Sequence, residues 1–186
     1  MKIELKNISI KELSKDYSDD GEGGVKGYGG KLDIRPPFQR EFVYGDKERN
    51  AVIDTVSKGF PLNVMYWAVR KNGTFEIIDG QQRTISICQF INRTFSYKKK
   101  YFQNLQEDEQ SKILNYELSV YLCTGTDTEK LEWFKTINIA GKELTDQELR
   151  NAVFHGSWVS AAKKWFSKNN CPAYQIGKDY LNGTPN

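Results

Sequence analysis

The sequence predicts an α+β domain in which a small mixed sheet carries flanking helices. Three observations support this. Asn72-Gly73 separates the apolar runs NVMYWAVR and TFEII, a strong hairpin signal. YELSVYLC, residues 116–123, alternates with the two-residue period of another strand. Helical apolar spacing or helix-start signals follow residues 46, 82, 128, 145 and 157. The length of 186 residues suits one domain, or one with a small appendage.

Taken in order, Ile3 and Leu5, then Ile8, Ile10 and Leu13, predict a short strand followed by a turn or helical piece. DYSDDGEGGVKGYGGK holds six of the fifteen glycines and reads as a mobile loop. It lacks the Gly-Lys-Ser/Thr context of a phosphate-gripping loop. Leu32 to Arg35 is a predicted strand, stopped by Pro36-Pro37. Asp46 is an N-cap candidate for a helix burying Val52, Ile53 and Val56, with Gly59 in the C′ position and Pro61 beyond. The second hairpin strand runs into Asp79-Gly80-Gln81-Gln82-Arg83, after which Ile85, Cys88 and Ile91 repeat at helical spacing.

Helical segments are expected near 99–105 and 107–114. Thr126 with Glu129 resembles a capping box opening a helix with Leu131, Phe134 and Ile137. Thr145 to Glu148 is a second box, with Leu144 and Leu149 as its staple. A last helix, about Ser157 to Lys168, is expected to bury Ala161, Ala162 and Trp165. The closing DYLNGTPN shows neither cap nor core pattern and reads as the start of something longer. The expected organisation is residues 1–30 as a strand and glycine-rich flexible loop, 31–155 as the main domain and 156–186 as a helical extension.

Charge and composition exclude several classes. The chain has 27 basic and 24 acidic residues, and 38% of it is hydrophobic, too much for a disordered segment. No apolar run approaches the roughly 18 residues of a membrane span, and MKIELKNISI lacks a signal-peptide core, so a cytoplasmic protein with no membrane partner is expected. Cys88, Cys123 and Cys171 form no C-x-x-C pair and read as small buried hydrophobes. His155 is the single histidine, which rules out a multi-histidine metal centre or a His-Asn-His nuclease site. It reads as a helix C-terminal cation or a packed residue. Trp67, Trp133, Trp158 and Trp165 read as core or domain-contact residues. Lys98-Lys99-Lys100 and the set Lys163, Lys164, Lys168 and Lys178 are either solvated faces or contacts to a nucleic-acid backbone.

Two segments put costly polar groups where a fold alone does not need them. In Arg35-Pro36-Pro37-Phe38-Gln39-Arg40, prolines and aromatics hold Gln39 and Arg40 in place. In Asp79-Gly80-Gln81-Gln82-Arg83-Thr84, Gly80 permits a tight turn and Gln81 to Thr84 open a helix. Its unsatisfied amides and dipole favour an anion, and Arg83 adds a fork suited to phosphate. Asp79 either orients that arginine or holds a metal or a water. The structural alternatives are that Asp79 is an N-cap with Arg83 its i+4 partner, and that Gln39-Arg40 is a strut.

The order Pro36-x-Phe38-Gln39-Arg40, then a helix ending Gly59-Phe60-Pro61, then a hairpin into Asp79-Gly80-Gln81-Gln82-Arg83, resembles the N-terminal domain of GmrSD-type restriction endonucleases. Phe134, Ile137, Asn138, Gly141, Leu144, Thr145, Glu148 and Leu149 match the same pattern, whereas Tyr44 and Arg35 depart from it. The resemblance spans roughly residues 30–155. It implies a ParB/sulfiredoxin-like fold and binding and hydrolysis of a nucleoside triphosphate that depends on the Asp-Gly-Gln-Gln-Arg motif. It further implies a partnership with modified phage DNA and with an HNH-type nuclease domain or subunit that does the cutting.

Carried over, Asp79, Gln81, Gln82 and Arg83 are the expected catalytic residues. Gln39, Arg40, Gly80, Arg83 and Thr84 are the expected nucleotide contacts. Asn138 and Gly141 either shape the site from behind or form a helix C-terminal turn. Asp79 is the candidate ligand for Mg²⁺ or another divalent cation, directly or through water. On this reading Arg83→Ala should abolish nucleotide dependence with little change in melting temperature. The rival readings are a modified-DNA-binding module without turnover, a ParB-like DNA-nicking nuclease, and a structural subunit.

Overall fold

The computed structural model describes residues 1–20, 24–36, 42–130, 132–133, 157–166 and 171–181. Two units divide the chain, Met1–Pro36 with Phe42–Glu143, and Pro37–Glu41 with Leu144–Asn186.

The first unit is built on one seven-stranded sheet in the order β1-β7-β5-β6-β4-β3-β2. The strands are β1 (Lys2–Ser9), β2 (Ser18–Asp19), β3 (Val25–Gly27), β4 (Leu32–Asp33), β5 (Met65–Val69), β6 (Phe75–Asp79) and β7 (Glu117–Thr124). The Asn72-Gly73 pair does join β5 to β6, with Gly73 at φ +77° and the Asn72 side chain accepting from the Thr74 N–H. β5 and β6 run antiparallel at the middle of the sheet. β5 is parallel to β7, and β6 is parallel to β4. This mixture of pairings, with helices between the strands, bears out the α+β expectation.

The same unit holds the helices α1 (Ile10–Leu13), α2 (Asp46–Lys58), α3 (Gln81–Ile91) and α4 (Glu107–Leu114). Val52, Ile53 and Val56 of α2, Ile85 and Cys88 of α3 and Ile113 of α4 share one buried cluster with Met65, Trp67, Ile77, Leu118 and Val120 of the central strands. Alternation along β5 and β7 supplies the sheet side of this core. The 3.6-residue period of α2 and α3 supplies the helix side. No helix among the described residues is long and apolar enough to cross a membrane.

Several expectations need correcting. The glycine-rich stretch read as a loop carries β2 and β3, paired antiparallel through Ser18–Lys26 and Asp19–Val25. Gly27 is there because of close approach, since a Cβ would stand 2.8 Å from the Leu13 carbonyl oxygen. The strand expected over Leu32 to Arg35 stops at Asp33. Gly45, not Asp46, is the N-cap of α2, and the Asp46 carboxylate instead accepts from Arg49. Residues 99–105 form no α-helix, because a tight turn closes at Lys100 and only Phe102–Asn104 coils, as a 3-10 turn.

The described part of the second unit comprises the helices Ser157–Phe166 and Pro172–Leu181. Trp165 is 58% exposed and Ala161 is exposed, against the expectation of burial. Trp158 and Phe166 are exposed as well, and Cys171 is buried. Pro172 at the first helical position suits the second helix, which the sequence reading missed. The Thr145–Glu148 box, its Leu144–Leu149 staple and His155 lie outside the described residues.

Candidate functional site

The site forms where β6 turns into α3. Asp79 ends the strand, and Gly80 takes φ +101° and ψ 5°. A Cβ there would stand 2.7 Å from Met65 Cγ as well as forcing left-handed backbone, so two independent constraints demand glycine. The Thr84 N–H then donates to the Gly80 carbonyl at 2.9 Å, closing the first helical bond. Gly80 offers no side-chain cap, and the first turn of α3 holds no acidic residue. Its amide ends and dipole are therefore not answered from within the helix by a carboxylate or hydroxyl.

Gln81 and Gln82 are nearly fully buried, at 4% and 6% exposure, which is unusual for glutamines at a helix start. Gln82 Oε1 accepts the N–H groups of Val43 (2.9 Å) and Tyr44 (3.2 Å), and its Nε2 lies 3.4 Å from Gln81 Oε1. One amide thus satisfies two donors some forty residues away. Arg83 donates to the Asn63 carbonyl, to the Val64 carbonyl at 3.2 Å and to Asp79 Oδ2 at 2.9 Å. The Thr84 hydroxyl, fully buried, meets Met65 Sδ at 3.4 Å, and the Ser86 hydroxyl donates to the Gln82 carbonyl at 2.8 Å.

Asp79, Gly80, Gln81, Gln82, Arg83 and Thr84 therefore stand together in one turn and a half. The Asp79–Arg83 pair at i,i+4 is present, although Gly80 rather than Asp79 is the N-cap. Arg83 is also a structural residue, which revises the expectation that its removal would leave stability unchanged. Gln39, Arg40, Asn138 and Gly141 lie outside the described residues.

The sequence reading missed the Val43 and Tyr44 amides and the Asn63 and Val64 carbonyls, backbone groups that carry no side-chain signal. It also missed an aromatic group beside Asp79. Tyr66 is paired in register with Asp79, stacks on Tyr121 at 5.4 Å between ring centroids, and meets Trp133 edge-on at 5.9 Å. Burial pushes the Tyr66 hydroxyl above its ordinary range, with Tyr121, the Asp79 carboxylate and Cys123 adding to the effect. Among the described residues no group of three His, Cys, Asp or Glu side chains is placed to hold a metal ion. Cys88, Cys123 and Cys171 are buried and in no disulfide, and burial raises the thiol pKa of the first two, which makes them poor nucleophiles.

No curated protein and no solved structure matches the chain significantly. The family described as GmrSD restriction endonuclease, N-terminal domain, matches residues 22–155, well over half of the sequence and the whole of the β6–α3 site. The chain therefore belongs to the family of GmrSD restriction endonuclease N-terminal domains, and is a restriction-system domain.

Proposed function

We propose that this domain binds a nucleoside triphosphate at the β6–α3 junction and hydrolyses it, so regulating DNA cleavage by an HNH-type nuclease domain or subunit. The modified DNA of phages is the proposed trigger. The observation that carries the reading is the start of α3, where Gly80 brings no capping side chain and the first turn no acid, so that helix amides and dipole are set beside the Asp79 carboxylate as they would be for an anion.

The residues fit such a ligand in distinct ways. The first-turn amides of α3 take the phosphates, and the rigid Gly80 turn holds those amides without rearrangement. The Asp79 side chain is 36% exposed and can reach a divalent cation. With no three-ligand cluster among the described residues, that cation would share its shell with phosphate oxygens and water, as Mg²⁺ commonly does. Bound there, Mg²⁺ supplies charge neutralisation on the phosphates.

Gln81 or Gln82, both in the first turn of α3 after Asp79, is proposed to orient the attacking water. Arg83 holds Asp79 in place and meets phosphate only by giving up one of its carbonyl partners. The aromatic faces of Tyr66, Tyr121 and Trp133 give a base a surface beside Asp79. Gln39 and Arg40, with Asn138 and Gly141 behind, are retained as further contacts on the family resemblance alone.

The test is phosphate release from the four common nucleoside triphosphates, with and without Mg²⁺ and DNA, for wild type and Asp79→Asn. Mg²⁺-dependent release that falls about a hundredfold in the variant is the expected result for loss of a group that neutralises transition-state charge. Absence of both binding and release for every triphosphate would sink the proposal. Metal-dependent nicking of DNA by the chain, lost in Asp79→Asn, would replace it with the nicking reading.

A further inference from the structure

Left-handed backbone is uncommon outside glycine, and bulky residues adopt it only under constraint. Among the described residues, five non-glycine residues do so: Asp16, Tyr28, Arg93, Lys98 and Lys99. Three of these five fall between Arg93 and Lys99, and all three are basic. Arg93 occupies the glycine position of a helix-ending motif. Its N–H donates to the Phe90 carbonyl at 3.0 Å, and the next, that of Thr94, donates to Gln89 at 2.8 Å. Lys98 and Lys99, at φ 49° and 64°, are the two central residues of a hairpin that Tyr97 and Lys100 close with reciprocal N–H to O bonds of 2.9 Å. Asn-Gly is the pair that suits such a turn, and the connection between β5 and β6 carries Asn72-Gly73. Two lysines do nothing for the turn that Asn-Gly would not do better. What they bring is charge at its tip.

The tip is also held firmly. Tyr97 and Phe95 pack on Phe90 at 6.4 and 5.7 Å between ring centroids. The Tyr97 hydroxyl donates to Asp54 on α2, and Lys98 Nζ donates to the same carboxylate at 3.1 Å while lying 4.8 Å from the Tyr97 ring centroid. Lys58 donates to the other oxygen of Asp54. Next to Lys58, Lys112 Cε lies 3.9 Å from where a Cβ on Gly59 would stand. Arg93, Lys98, Lys99 and Lys100 are all exposed. One carboxylate thus gathers cations from two elements, and further cations stand beyond it.

We propose that the Lys98–Lys99 hairpin, with Arg93, Lys100 and Lys58 beside it, is a docking point for the phosphate backbone of duplex DNA. A restriction-system domain has DNA within its reach, and the surface complements a polyanion in charge. Ammonium groups on a fixed turn act as point charges, so they suit backbone positioning rather than base reading. The inference is independent of nucleotide binding at the β6–α3 junction.

The test replaces the two lysines with the pair the turn prefers, Lys98→Asn with Lys99→Gly, in the 186-residue chain. Binding to a fluorescent duplex of about 30 base pairs is followed by anisotropy across a salt series. Affinity at low salt should fall about tenfold, and the slope of log K against log salt should become shallower by about two, one for each phosphate no longer neutralised. The melting temperature should hold or rise, because the turn is relieved of strain. Lys100→Gln, outside the left-handed positions, should lower the slope by about one. Unchanged affinity and slope in the double variant would overturn the proposal. Poly-glutamate displacing the duplex at equal charge concentration would also overturn it and point to an acidic protein partner.

Discussion

The helices of the first unit begin in two different ways. α1 opens on a reciprocal box, with Glu12 N–H donating to Ser9 Oγ and Ser9 N–H donating to Glu12 Oε2. α4 opens on Gln106 with Glu109, and the helical segment from residue 127 opens on Thr126 with Glu129. α2 has no side-chain cap but carries Asp46 and Glu48 in its first turn. α3 has neither device, and in their place stands a glycine in left-handed conformation followed by two buried glutamines and an arginine. Where the fold only has to end a helix, the chain uses short local chemistry. At α3 it uses long-range chemistry and places no side-chain cap and no first-turn acid.

The largest effect that would test this contrast is at Gly80. Gly80→Ala adds left-handed strain to a contact with Met65, and should cost about 3 kcal/mol in urea denaturation. Gly73→Ala, at φ +77° with nothing within 4 Å of the new Cβ, should cost about 1 kcal/mol. Equal losses would show that Met65 makes way. Next comes Gln82→Ala, which strips both donors of residues 43 and 44 and should cost about 2 kcal/mol. Amide exchange at Val43 and Tyr44 should accelerate, and unchanged protection there would break the assignment.

At the capped ends the effects are smaller and purely local. Ser9→Ala and Thr126→Ala should each cost about 1 kcal/mol with no change in triphosphate binding. The smallest effect is in pH. Hydrogen bonds from the backbone and side chain of Ser9 hold the Glu12 pKa below its ordinary 4.5. The box therefore contributes fully above about pH 4.5 and weakens as pH falls through the lowered value. An NMR titration of the Ser9 amide should show this, while the Thr84 amide at the start of α3, with no acid in that turn, should not follow it.

Much of this was legible in the sequence, for local reasons. The β5–β6 hairpin, β7, and the buried faces of α2 and α3 follow from turn chemistry and periodicity within a few residues. The position of Asp79 to Thr84 at a strand-to-helix junction follows from the same signals. β2 and β3 were not legible, because two- and three-residue strands among glycines have no period to read. Residues 99–105 misled for the opposite reason. A lysine run favours helix, but the ring packing of Phe95, Tyr97 and Phe102 on Phe90 decides the path instead. That Gln82 serves two amides, and Arg83 two carbonyls, depends on which distant segments the sheet order brings alongside.

Those same bonds have a mechanical consequence. Gln82 grips residues 43 and 44, immediately before α2, and Arg83 grips residues 63 and 64, just after it. A rod of 13 residues is thereby mounted at both ends on a single helical turn. A ligand that drew one of these side chains away would slacken its own mounting, and one that drew both would slacken the two together. The rod carries Asp54, and Asp54 steadies Tyr97 and Lys98. Occupancy of the turn at Gly80 would thus be transmitted to the lysine hairpin as play in α2, without α3 having to bend.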